Sequence, residues 1–237
     1  MHIQAIIFDV DGTLADTEDG HRKSFNKAFA ECGLDWDWDV ALYDKLLSVT
    51  GGKERIKYFI ESFLTGYTKP GNFEEFVRHL HKVKTAHYNT MLREGHIPLR
   101  SGIQKLIDAA GQRGIRLAIA TTTSAENVTT LLQQGLGPGG ERIFEVIGCG
   151  DIVPHKKPAP DIYYWVLEKM GLPAADCIAL EDSENGLRAS LAAGIRTFII
   201  PNHYTRNQNF SGAAAVLDDL NDLPIDRQAA LAATLIL

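Results

Sequence analysis

The chain has 237 residues, 45% of them hydrophobic, enough for a sizeable core in one domain or two. Its formal net charge of −6 argues against nucleic acid or an anionic membrane as a partner, and no apolar run is long enough to span a bilayer. Three widely spaced cysteines, Cys32, Cys149 and Cys177, suit reduced thiols in a cytoplasmic setting and argue against a disulfide framework or a zinc site.

The opening residues, MHIQAIIFDVDG, have no basic n-region or cleavage site, so no signal peptide is expected. Their apolar run over residues 3–8 predicts a buried strand. Residues then recur at helical spacing: Phe25, Ala28, Phe29 and Cys32; Ala41, Leu42, Lys45, Leu46 and Leu47; Ile56, Phe59, Ile60, Phe63 and Leu64; Phe73, Phe76, Val77, Leu80, Val83, Lys84 and His87. Four helices and no strand are expected across this stretch. Near Pro98 the character changes. Ser101 is the expected cap of a helix reaching Gln112 and closed by Gly114. Strands over 115–120, 144–147, 177–180 and 196–200 then alternate with helices over 125–134, 160–170 and 185–193, and residues 214–217 suggest an edge strand. Such alternation implies right-handed crossovers and a parallel sheet. The expected fold is α/β, a Rossmann-like parallel sheet built from residues 1–15 and 95–237, interrupted by a helical insert over 16–94.

Four polar clusters fall at the C-terminal ends of four expected strands. They are Asp9 with Asp11, Thr121 with Thr122 and Thr123, Lys157 in HKKPAPD, and Glu181 with Asp182. In a parallel sheet these ends converge on one cleft. Aspartates two apart at a strand end need a cation or a nucleophilic role, because an unpaired buried charge is costly. Several carboxylates together suit a hard divalent cation, Mg²⁺ above all. Cys149 has no evident neighbouring base and reads as an inert thiol. The run Gly51-Gly52-Lys53-Glu54-Arg55 is phosphate-friendly but lacks the spacing of a nucleotide P-loop.

The DxDGT motif at Asp9, a strand ending in Thr121, KPxPD at Lys157 and an apolar strand ending in Glu181-Asp182-Ser183 together resemble the haloacid dehalogenase-like superfamily of phosphotransferases. The match spans nearly the whole chain, and the helical insert looks like that family's first class of cap domain. The resemblance implies that Asp9 is the nucleophile and Asp11 the general acid and base. It implies a metal site of Asp9, Asp182 and the Asp11 carbonyl, with Glu181 a ligand or an outer partner. Thr121, with backbone N–H groups near Thr122 and Thr123, would orient the phosphate. Lys157 would neutralise charge; Lys156 is its rival, but the family's lysine directly precedes Pro. Asp16 and His21 match cap-hinge positions that bring Asp11 into place.

Within the superfamily, LEDSENG and KKPAPDIY resemble the β-phosphoglucomutase-like branch. The segment Leu34-Asp-Trp-Asp-Trp-Asp39, followed by residues 50–55, looks closer still to the CbbY-type sugar phosphatases, which act on xylulose 1,5-bisphosphate. A bisphosphate needs a second set of donors, and Gly52, Lys53 and Arg55, with Arg22 nearby, could supply it. The expectation is a monomeric, Mg²⁺-dependent phosphatase of a small phosphorylated sugar. The alternatives are a β-phosphoglucomutase-like sugar phosphomutase and a phosphatase of other small monoesters. A true dehalogenase has no use for Asp11 and Asp182, and a receiver-like phospho-acceptor has none for the large insert.

Overall fold

The computed structural model of the protein describes residues 3–49, 51–150 and 152–223. Contacts divide the chain into two units: one runs through Asp16 and resumes at Ile97, the other is Thr17–His96. The sequence reading put these divisions at 15/16 and 94/95.

The first unit is built on a six-stranded sheet of β1 (Ala5–Phe8), β2 (Arg116–Ala120), β3 (Val146–Gly148), β4 (Cys177–Glu181), β5 (Arg196–Ile199) and β6 (Ala215–Val216). The order is β3-β2-β1-β4-β5-β6, and every neighbouring pair is parallel. The fold is therefore the α/β Rossmann-like sheet expected. All four residues of β1 are fully buried, as a strand covered on both faces must be. One face packs Ala5, Ile7, Ala118 and Ala179 against Ile162, Tyr163 and Val166 of α7 (Asp161–Met170) and Ala189 of α8 (Glu184–Ala192). On β1, Phe8 meets Phe144 edge-on, with ring centroids 5.9 Å apart. That ring lies before β3, which starts two residues later than the expected 144–147.

Register fixes the site before any side chain is considered. Phe8 stands opposite Ile119 on one side and Leu180 on the other. Asp9, Ala120 and Glu181 therefore leave the sheet at one level, at the switch point where chain connections diverge. Backbone bonds continue past the strands: Asp9 N–H donates to Leu180 O (3.0 Å), Thr121 N–H to Gly148 O (2.9 Å) and Ile200 N–H to Glu181 O (2.8 Å).

Two further helices complete this unit, α5 (Ile103–Gln112) and α6 (Ala125–Leu136). Ser124 and Ser183 cap α6 and α8 through their hydroxyls. Ser101 does not cap α5; Gly102 stands there instead, in the left-handed region at φ 86°. A Cβ at Gly102 would lie 3.0 Å from Leu220 Cβ, so close approach as well as conformation calls for glycine.

The second unit holds α1 (Glu18–Glu31), α2 (Val40–Leu46), α3 (Gly52–Phe63) and α4 (Phe73–Arg93), with no strand among its described residues. Its core is aromatic: Trp38 lies between Phe25 (4.5 Å), Phe29 (5.0 Å) and Phe59 (5.3 Å). The Trp36-Asp37-Trp38-Asp39 run thus buries both indoles, and Asp39 caps α2 by accepting from Leu42 N–H at 2.7 Å. Among the described residues of the whole chain, no helix is long and apolar enough to cross a membrane.

Two histidines of this unit are held neutral. Burial, with the Lys84 charge, pushes His21 well below the usual imidazole value. Burial, with Lys84 and Lys53, lowers His81 to about 4. A histidine depressed in the fold takes up its proton more readily when unfolded, so acidification favours unfolding. The His81 contribution should be whole above about pH 6.5 and decline towards pH 4. Thermal melts of wild type and His81→Gln at pH 7.5 and pH 5 should show a smaller acid-induced drop in the variant. Equal drops would remove His81 from the acid sensitivity.

Candidate active site

Lys157 sits at the centre of the strand ends. Its ammonium donates to Asp9 Oδ1 (2.7 Å), Glu181 Oε1 (2.6 Å) and the Ala120 carbonyl (2.8 Å). The three acceptors come from β1, β4 and β2, so one side chain ties together the three central strand ends. The neighbouring Lys156 is exposed. Burial alone would lower the Lys157 pKa, but the Asp9 and Glu181 carboxylates more than reverse that and hold it above its usual value. Burial, reinforced by Asp9, raises Glu181, and Lys157 only partly offsets it.

Carboxylate oxygens of Asp9, Glu181 and Asp182, all buried, lie within 4.8 Å of one another. Three carboxylates against one ammonium leave two negative charges when all are ionised, which matches a divalent cation. The donor set is all oxygen, as Mg²⁺ prefers. Glu181 Oε1 receives both Lys157 and the Tyr163 hydroxyl, whereas Glu181 Oε2 is buried with no hydrogen-bond partner among the described residues. An orphaned buried oxygen in such a cluster fits a cation ligand. Asp182 Oδ2 accepts from Asn202 Nδ2 at 2.8 Å.

The Asp11 carboxylate receives the Thr123 hydroxyl, and the Thr123 N–H donates to Thr121 Oγ1 at 3.3 Å. Thr121 is buried and Thr122 exposed. Asp16 is exposed and lines a cleft of about 400 Å³ with Arg100, Asn202, His203 and Arg206.

The remaining sequence-derived candidates belong to the helical unit. His21 stacks on Tyr88 (3.9 Å between centroids) and its Nδ1 accepts from Lys84 Nζ at 2.8 Å. Gly52 and Lys53 open α3, with Lys53 exposed. Arg55 donates to the Tyr43 hydroxyl (2.9 Å) and to the Leu46 (3.2 Å) and Val49 (3.3 Å) carbonyls. Arg22 donates to Asp19 and to the Trp38 carbonyl (2.9 Å). Both guanidinium groups therefore brace the unit's own loops.

Sequence reasoning missed four polar residues. Lys84 lies on a helix face otherwise apolar and gives no separate signal. Tyr163 follows the KPxPD motif, in the first turn of α7. Asn202 lies beyond the fifth strand, at an end of the sheet that the motif search left out. Arg100 donates to the Gly12 and Ile200 carbonyls, the latter at 2.6 Å, and so pins the Asp11 loop to the end of β5.

Residues 6–200 match the haloacid dehalogenase-like hydrolase family. The chain belongs to that family and is a phosphatase of it. It is 48% identical to the CbbY protein (plasmid) of Cupriavidus necator, over 93% of this chain and 87% of that one. The crystal structure of CbbY from Rhodobacter sphaeroides in complex with phosphate superposes with a TM-score of 0.83 at 47% identity, covering 93% of this chain and 96% of that one. A variant of the same protein, solved in complex with xylulose-1,5-bisphosphate, gives 0.83 at 46% identity with the same coverage.

Removing the central cation should be costly. Lys157→Met leaves two buried carboxylates facing each other, and breaking a buried pair by deleting one partner costs about 3–5 kcal/mol. Urea unfolding in EDTA at neutral pH checks this; a loss below about 1 kcal/mol, the range of exposed pairs, would contradict the burial argument.

Proposed function

We propose that the protein is a Mg²⁺-dependent phosphatase of a small phosphorylated sugar, working through an aspartyl-phosphate on Asp9, with xylulose 1,5-bisphosphate its best substrate. The observation that carries this reading is the meeting of Asp9, Lys157, Glu181 and Asp182 at one level of the sheet. The likeness to CbbY, whose variant was solved with that sugar bisphosphate, supports the substrate class.

Mg²⁺, held by Asp9, Glu181, Asp182 and the Asp11 carbonyl, would reduce repulsion between a carboxylate and a phosphate dianion. The rest is the work of this chain's own groups. An Asp9 carboxylate oxygen attacks phosphorus, the bond from phosphorus to the sugar oxygen breaks, and Asp11 gives that oxygen its proton. Asp11, now a carboxylate, takes a proton from water. The hydroxide oxygen attacks phosphorus, and the bond to Asp9 breaks to release phosphate. Thr121 and the backbone N–H groups at Thr122 and Thr123 orient the phosphoryl oxygens, and Lys157 offsets the charge gathered on Asp9. Asp16 and His21, by their match to the family's cap-hinge positions, would help bring Asp11 into place. Gly52, Lys53 and Arg55 of the helical unit would meet the second phosphate.

A phosphate-release screen over sugar mono- and bisphosphates tests the reading. Xylulose 1,5-bisphosphate should be preferred, EDTA should stop release and Mg²⁺ should restore it. Lys53→Ala should raise KM for the bisphosphate at least tenfold while leaving simple monophosphates nearly unchanged. Conversion of a bisphosphate to a rearranged monophosphate in place of free phosphate would favour the mutase, and equal losses on both substrate kinds would discard the second-anion role.

A further inference from the structure

Glu181 and Asp182 share one pattern of contacts, a neutral donor and a close glycine. The Tyr163 hydroxyl, fully buried, donates to Glu181 Oε1, and a Cβ on Gly186 would lie 1.9 Å from Glu181 Oε2. Asn202 Nδ2 donates to Asp182 Oδ2 at 2.8 Å, and a Cβ on Gly12 would lie 2.1 Å from that same oxygen. Each carboxylate thus has a neutral donor on one side and a glycine on the other, and Glu181 has the Lys157 ammonium as well.

The amide of Asn202 is locked. Its Oδ1 accepts from the Tyr204 (2.8 Å) and Thr205 (3.2 Å) N–H groups, so its Nδ2 must be the end facing Asp182. Its own N–H donates to Thr205 Oγ1 at 3.0 Å. Tyr163 is held by the packing of α7 on the sheet. Neither donor carries charge. That matters, because a lysine in either place would halve the surplus of two negative charges and compete with a cation. Hydrogen bonds from outer residues commonly orient metal-binding carboxylates, and losing one typically weakens metal affinity 10–100-fold.

We propose that Tyr163 and Asn202 are positioning residues, a pair of neutral clamps that fix the Glu181 and Asp182 carboxylates in the arrangement that takes the divalent cation. This rests on the functional reading above. Tyr163 acts by occupying Oε1 beside Lys157, which leaves Oε2 for the cation. Asn202 acts by fixing the rotation of Asp182. The two hold different carboxylates from different elements, so their effects should add.

Mg²⁺ titration calorimetry on the whole protein tests this without turnover. Tyr163→Phe removes one hydroxyl, and Asn202→Ser keeps a short acceptor for the turn while losing reach to Asp182. Each should weaken Mg²⁺ binding at least tenfold, and the double variant at least a hundredfold. Thr205→Val loosens the same turn without touching Asp182 and should stay within twofold of wild type. Saturating Mg²⁺ should restore kcat in each single variant with an unchanged KM for the sugar phosphate, which a general loosening of the fold would not do. Wild-type Mg²⁺ affinity in either single variant, or an equal loss in Thr205→Val and Asn202→Ser, would overturn the proposal and leave the functional reading standing. A wild-type protein that binds no Mg²⁺ would overturn both.

Discussion

Three carboxylates stand at the end of a buried parallel sheet, and a single ammonium makes that arrangement tolerable. Lys157 bonds Asp9, Glu181 and the end of β2 at once. Without it the acidic groups would repel one another in a poorly solvated place, and burial would drive protons onto them. Lys157 offsets part of the burial penalty on Glu181, and an acidic cluster with more carboxylates than ammonium groups has the donor chemistry of a divalent-cation site. The register of β1 against β2 and β4 brings the three ends level, so the site is a consequence of strand pairing before it is one of side chains.

Much of this was legible because motif residues lie at strand ends, where period and punctuation are clear. The apolar run before Asp9 and the one before Glu181 each mark a fully buried strand, and parallel order then forces their ends together. What could not be read involves contacts with no sequence period. Tyr163 and Glu181 are 18 positions apart, and Asn202 and Asp182 are 20 apart; each pair meets only because a helix packs on the sheet or a loop folds back over it. Ser101 has the chemistry of a cap, yet the close approach of Leu220 makes Gly102 the helix start. Phe144 looked like strand, but packing on Phe8 holds it outside β3.

The helical unit shows how one residue type carries two tasks. Its tryptophan-aspartate run resembles a family signature, and physically it is a pair of buried indoles with a helix cap. Arg22 and Arg55 brace loops through backbone carbonyls, so any anion they meet would find guanidinium groups already oriented. Lys53, by contrast, is exposed at the start of α3. Lys84 against neutral His21 places a cation in an aromatic pocket over Phe25 and Tyr88, a combination no periodicity announces.

Phosphoryl transfer onto Asp9 can be observed directly. Xylulose 1,5-bisphosphate carrying labelled phosphate is mixed with the enzyme and Mg²⁺, quenched in acid during turnover, and the protein is reduced with borohydride, which converts an acyl phosphate to an alcohol. Peptide mass spectrometry should find homoserine at position 9 and aspartate at position 11. Phosphate released at full rate, with aspartate intact at position 9 at every quench time, would contradict the account.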